Sequence, residues 1–257
     1  MTRYVRFAHD PAVPVTAPDS HPGVLRGALR DGRVVTPGGE TALLEQVRLL
    51  PAVAPSKIVC VGRNYAGHAK ELGNAVPTEP LIFLKPPSSL NAHGAPVVFP
   101  KISQLLSYEG EVGVVVGRRA RHIRAAEAMD YVAGYTIVND VTARDLQKKD
   151  GQWTRGKGFD TFCPVGPWWV PKEDVEFDSL RVITKVNGEV RQDAPVTGMI
   201  FNVGVILQFV SEFMTLEPGD LIATGTPPGV GSMGAGDTVS VEIRGLGVLE
   251  NPVVAAS

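Results

Sequence analysis

The segment LSYEGEVGVVV sets Glu109 and Glu111 two residues apart in an apolar run. In a strand, side chains alternate, so both carboxylates turn to one face. On a partly buried strand an external cation must offset their repulsion; on an exposed edge both would simply face water. A third acid, Asp140, follows the apolar run of YTIVNDVTARD, where a strand end can deliver it to a shared cavity. Three carboxylates form an all-oxygen donor set that suits Mg²⁺ or Mn²⁺ and argues against zinc. Spacing alone does not bring the three together.

Other residues could act beside them. His68 and Glu71, in RNYAGHAKELG, share a helix face at i,i+3, so the acid can orient the imidazole as a general base; a surface ion pair has the same spacing. Lys157 lies in the glycine-flanked TRGKGFDTFCPVG, read as part of a loop over 151–162, and could meet a carboxylate or a developing oxyanion, or be an ordinary solvated lysine. Arg144 and Gln147 sit three apart after Asp140. The turn ATGTPPGV offers backbone donors to an anion but has no lysine after its glycine, so it is not a phosphate loop. No GxGxxG, GxSxG or HExxH occurs, and His9, His21, His93 and His122 lack ligand-like spacing.

The elements that must carry these residues are mostly short strands. Candidates are 4–7, 23–29 and 33–36, with Asp31-Gly32 as a hairpin turn, then 58–61, 81–84, a long strand 106–116, and 133–138. Asn187-Gly188 joins 180–186 to 189–191, and 221–224 and 238–243 complete the set. Helices are predicted over 41–50, 65–72 (capped by Asn64), 125–131, 142–149 and about 203–212. Such a pattern predicts a mainly β, rolled or barrel-like fold with short peripheral helices (α+β), not a repeating βαβ sheet. The Pro-rich stretch 51–55 divides a small N-terminal subdomain, 1–52, from a main body, 53–257.

Composition excludes several classes. The formal charge of -2 gives no basic field for nucleic acid or an anionic membrane. Apolar stretches are strand-sized, and the N-terminus has no signal-like apolar core. The 2 cysteines, Cys60 and Cys163, cannot build a disulfide framework, so a reducing cytoplasm is expected.

The pieces GRNYAGHAKELG, PLIFLKPPSSL, YEGEVGVVVGR, AGYTIVNDVTARDLQ, GKGFDTFCPVGP and LEPGDLIATGTPPGVG, read together over about 57–250, resemble the fumarylacetoacetate hydrolase family in type and order. The resemblance implies a mixed β-roll and a homodimer. It assigns the metal to Glu109, Glu111 and Asp140, and the catalytic His-Glu pair and lysine to His68, Glu71 and Lys157. It also places Gln147 and Thr226 near substrate, with Arg63 and Arg144 as carboxylate partners. The implied activity is metal-dependent hydrolysis of the C–C bond in acylpyruvate-type 2,4-dioxo acids, with a small 2-oxo or dioxo acid as the partner. Isomerisation and decarboxylation of 2-hydroxyhepta-2,4-diene-1,7-dioate, or decarboxylation of oxaloacetate, would use the same residues. A non-catalytic metal-stabilised binding protein is the remaining class.

Overall fold

Valine-rich runs become strands where both faces meet other layers, as β-branched side chains favour. All of Gly110–Val116 is buried, and so is nearly all of Val132–Asn139. The computed structural model describes residues 1–71, 73 and 75–257. Among these residues the strands form sheets of twelve, three and five. The main path of the largest runs through Thr41–Leu43, Arg33–Val35, Leu25–Arg30, Arg3–Ala8, Cys163–Pro171, Val132–Asn139, Gly110–Val116, Leu221–Ala223, Ile58–Gly62 and Leu81–Lys85. Each sheet ends in open edges, so the predicted mixed β-roll with few short helices holds without closing into a barrel.

Two further sheets wrap the strands that carry the acids. Leu106–Ser107, Thr142–Ala143 and Ser232–Met233 form the smallest. Arg181–Val186, Glu189–Pro195, Thr238–Ile243, Gly247–Ala255 and Val97–Phe99 form the five-stranded one. The predicted turn at Asn187-Gly188 has φ of 52° and 81°, the left-handed pair that a type I′ hairpin requires. The helix Val203–Phe213 lays Ile206, Leu207 and Val210 into the core, and the Asn202 side chain caps it by accepting from the Val205 N–H at 3.0 Å.

The structure corrects several local expectations. Residues 41–50 are not a helix: Thr41–Leu43 and Arg48–Leu49 pair with neighbouring strands around a 3₁₀ turn, because sheet edges there supply partners that a short isolated helix lacks. The long strand over 106–116 breaks at Tyr108–Glu109, since the Glu109 N–H donates to the Asn139 side chain at 2.9 Å instead of extending a ladder. The loop expected over 151–162 contains the helical turn Thr154–Lys157. The 125–131 element is a 3₁₀ helix. Asn64 does not cap the following helix, Ala66–Glu71; its side chain is taken up by Phe201 and Thr224. The predicted helix end at Leu72 lies outside the described residues.

Candidate metal centre

Three backbone features bring the acids together. Glu111 lies within Gly110–Val116, paired residue by residue with Val132–Asn139 through Glu111↔Val138 and Gly110↔Asn139. Glu109 immediately precedes that strand, and Asp140 immediately follows its partner. The Asp140 N–H donates to the Glu109 carbonyl at 2.9 Å, which locks the two acids side by side. One carboxylate oxygen from each of Glu109, Glu111 and Asp140 lies within 4.8 Å of the others, and all three residues are buried.

Two buried lysines and the partly buried Arg144 surround them. The Lys157 ammonium donates to Glu109 Oε2 and Asp140 Oδ2, both at 2.6 Å, and Lys85 donates to Asp140 Oδ1 at 2.6 Å and to the Val141 carbonyl at 3.1 Å. Arg144 pairs with Glu109 Oε1 and holds the Gln147 side-chain oxygen at 2.9 Å. Burial alone would raise the Glu109 pKa, but Arg144 and Lys157 outweigh it and hold that carboxylate well below its usual range. Glu111 goes the other way: burial first, then Asp140 and Glu109, push it well above the usual range. Lys157 is disfavoured as a cation by burial, yet Asp140 and Glu109 more than restore it and raise its pKa.

The donor set therefore fits a divalent ion. It is all oxygen, and Glu111 receives one hydrogen bond among the described residues, from the Gly225 N–H at 2.8 Å. An anion so buried and so close to two others gains most from a cation beside it.

His68 and Glu71 sit on the helix Ala66–Glu71, and the His68 Nδ1 lies 3.4 Å from Glu71 Oε2. The Gly229 N–H donates to both Glu71 oxygens, at 3.1 and 3.2 Å. Burial pulls the imidazole below its ordinary pKa despite Glu109 and Glu71, so His68 is neutral at neutral pH. Two of the backbone donors expected to meet a substrate anion, at Gly225 and Gly229, are thus engaged by Glu111 and Glu71. Thr226 is similarly occupied: its hydroxyl donates to the Gly110 carbonyl at 2.9 Å and accepts from Gln192 at 2.8 Å.

A cavity of about 510 Å³ is lined by Glu109, Glu111, His68 and Lys157, and by Arg63, Arg144, Gln147 and Thr226. Eight of the residues singled out from the sequence thus line one cavity, while Asp140 lies behind its wall, held to Lys157, and Glu71 stands beside the His68 Nδ1. Larger hollows of about 1310 and 740 Å³ flank the N-terminal strands, but none of these residues lines them. Cys60 and Cys163 are buried free thiols; burial pushes Cys163 up to about 12 and Cys60 well above its ordinary value, so neither offers a thiolate.

Sequence reasoning missed Lys85 and Gln192, and read Asn64 only as a helix cap. Lys85 had a signal, as the charged residue closing the otherwise apolar LIFLK strand before Pro86-Pro87. At 1% exposure such a lysine requires a buried acid, which is Asp140.

Comparison with known proteins adds to this geometry. The family described as fumarylacetoacetate (FAA) hydrolase C-terminal matches residues 57–254. Human mitochondrial oxaloacetate tautomerase FAHD2A is 42% identical over 263 residues, spanning 96% of this chain and 82% of that protein. The crystal structure of 5-carboxymethyl-2-hydroxymuconate delta-isomerase from Mycobacterium smegmatis aligns with a TM-score of 0.87 at 41% identity, covering 99% of each chain. Fumarylpyruvate hydrolase from Pseudomonas aeruginosa, solved in complex with Mn²⁺ and pyruvate, aligns with a TM-score of 0.76 at 31% identity, covering 89% of this chain and 98% of that one.

Proposed function

This chain belongs to the fumarylacetoacetate hydrolase family, and from that premise we propose that it hydrolyses the C–C bond of acylpyruvate-type 2,4-dioxo acids. The observation that supports the reading is a single cavity lined by Glu109, Glu111, His68 and Lys157, with Asp140 held to Lys157 and Glu71 beside the His68 Nδ1. Glu109, Glu111 and Asp140 would hold Mg²⁺ or Mn²⁺. When bound, the ion supplies Lewis acidity toward the 2-oxo and carboxylate oxygens of the substrate's pyruvoyl end.

The remaining work falls to the side chains. Neutral His68, with Nδ1 turned to Glu71, takes a proton from water through Nε2. The hydroxide adds to the C4 carbonyl, and the new oxyanion needs a donor. Lys157 has three N–H groups and commits two of them to Glu109 and Asp140, which leaves the third for that oxygen. The C3–C4 bond then breaks, its electron pair forms the pyruvate enolate, and C3 takes back the proton held by His68. The products are pyruvate and a carboxylic acid.

A second reading has its own support: relatives named as a tautomerase and an isomerase share 42% and 41% identity, against 31% for the hydrolase. In that version His68 only shuttles a proton at C3, and no water attacks. Resolving products from fumarylpyruvate, oxaloacetate and a dienoic diacid with Mg²⁺ or Mn²⁺ separates the two. We expect pyruvate plus fumarate from the first substrate. His68→Ala should lose about 10²- to 10⁴-fold in turnover while keeping its metal affinity, and Asp140→Ala should lose the metal. Proton transfer without C–C cleavage selects the second reading, and inertness toward all three substrates removes both.

A further inference from the structure

We propose that the hollow of about 740 Å³ between the N-terminal strands and the main body is a second ligand site, which takes a small aromatic anion. None of its lining residues lines the 510 Å³ cavity, so the inference stands apart from the catalytic reading.

Strand alternation builds one wall. In Leu25–Arg30, Arg26, Ala28 and Arg30 share a face, while Leu29 turns the other way into the N-terminal core. The neighbouring strand sets Arg6 opposite Arg26 and Tyr4 opposite Ala28, and Tyr4 also lies opposite Trp169. Tyr4 stacks on Trp169 with ring planes 23° apart, yet 38% of Tyr4 remains exposed. Trp169 is held from behind. It packs on the cluster that contains Ala52, Val53 and Val115, and Gly134 makes way for its ring, which a Cβ there would approach to 2.9 Å. A fixed aromatic pair thus stands midway between two arginines, whose Cα atoms lie about 13 Å apart at the rise of an extended strand.

The charge of this wall does not balance. Three cations line the hollow, Arg6, Arg26 and Arg30, against one acid, Asp19. Arg6 is committed to structure: buried, it donates to Asp19 at 2.7 Å and to the Ala17 and Pro51 carbonyls at 2.7 and 2.9 Å. Arg26 pairs with the other Asp19 oxygen, but its side chain is 58% exposed. Arg30 is exposed, and among the described residues no acid lies within ion-pair distance of it. A guanidinium can take a carboxylate or a phosphate through two parallel hydrogen bonds. A ring laid on Tyr4 and Trp169 gains apolar burial and π contact, and a hollow of this size encloses a small molecule. A neutral ring would leave the arginines unanswered and a ringless anion would leave the aromatic pair uncovered, so the occupant carries both parts.

Calorimetric titration of the full chain with matched probes tests the site. The pairs are AMP against adenosine and indole-3-acetate against indole-3-acetamide, with inorganic phosphate and acetate as the ringless anions. At least one aromatic anion should bind with a Kd below about 1 mM, and about 10-fold or more tightly than both its neutral partner and its ringless anion. Tight binding of AMP supports a phosphate ligand, and tight binding of indole-3-acetate a carboxylate. Arg30→Gln, at an exposed position, should weaken that binding about 10-fold, and Tyr4→Leu about 2- to 10-fold. The inference is overturned by a wild type that binds neither aromatic anion in this range, or that binds a neutral or ringless probe as tightly. It is equally overturned if the affinity survives either substitution.

Discussion

Glu109 and Glu111 are two residues apart and face opposite electrostatic problems. Glu109 is bracketed by Arg144 and Lys157; among the described residues Glu111 meets a single backbone donor and two neighbouring acids. In the unfolded chain Glu111 has its ordinary pKa, so the folded protein binds that proton more tightly. Its ionisation therefore opposes folding as pH rises through the raised folded-state value. At neutral pH without metal, Glu111→Gln should raise the melting temperature by about 2–4 °C for each kcal/mol of repulsion relieved. The same change should abolish the stabilisation that added Mg²⁺ gives the wild type, because a ligand binding only the native state raises its stability. Differential scanning fluorimetry in EDTA and in Mg²⁺ reads both effects. An equal Mg²⁺ response in the variant would remove Glu111 from the donor set.

The strand Glu189–Pro195 reaches across to the acid-bearing elements through one residue. Gln192, 1% exposed, accepts from the Gly110 N–H at 3.1 Å and donates to Thr226 Oγ1 at 2.8 Å and the Pro227 carbonyl at 2.7 Å. It ties the five-stranded sheet to the E-x-E strand and to the turn that holds Glu111 and Glu71. Gln192→Leu should therefore lower stability by about 1–3 kcal/mol for each buried group left unpaired. Urea unfolding measures the loss, and a midpoint equal to wild type would show the strap to be idle. Gln192 also marks where legibility ends. The E-x-E alternation, the Asn187-Gly188 turn and the i,i+3 spacing of His68 and Glu71 are local, and the sequence displays them. Gln192 finds Gly110 across 82 positions, Asn64 finds Phe201 across 137, and Lys85 finds Asp140 across 55; no local pattern encodes such partners. The 41–50 segment was misread for the same reason, since distant strand pairing overrode its local character. Convergence of the three acids likewise became visible only through the family's ordered motifs and the fold.

At the scale of the whole chain, Trp168 and Trp169 join the N-terminal strands of the twelve-stranded sheet to the rest. Tyr4 stacks on Trp169 with ring centroids 4.6 Å apart, and Arg3 lies over Trp168 at 4.8 Å. Trp168 packs against the N-terminal cluster of Val5, Phe7, Leu29 and Val34 and also against the main core. The Trp168 carbonyl accepts from Thr136 at 2.7 Å, which fixes it to the strand leading to Asp140. Residues 1–52, proposed as a subdomain, are therefore coupled to the catalytic body through a shared aromatic wall. Removing that wall should loosen the coupling before it harms the site. Trp168→Ala is expected to cost about 3 kcal/mol, toward the lower end for a large aromatic because Trp168 is only partly buried. In scanning calorimetry this should appear as an early transition for the N-terminal segment, or as a midpoint lowered by about 6–12 °C. Added Mg²⁺ should still raise the main transition, since neither tryptophan lines the 510 Å³ cavity. A single transition within about 2 °C of wild type would mean that the two cores do not depend on this contact.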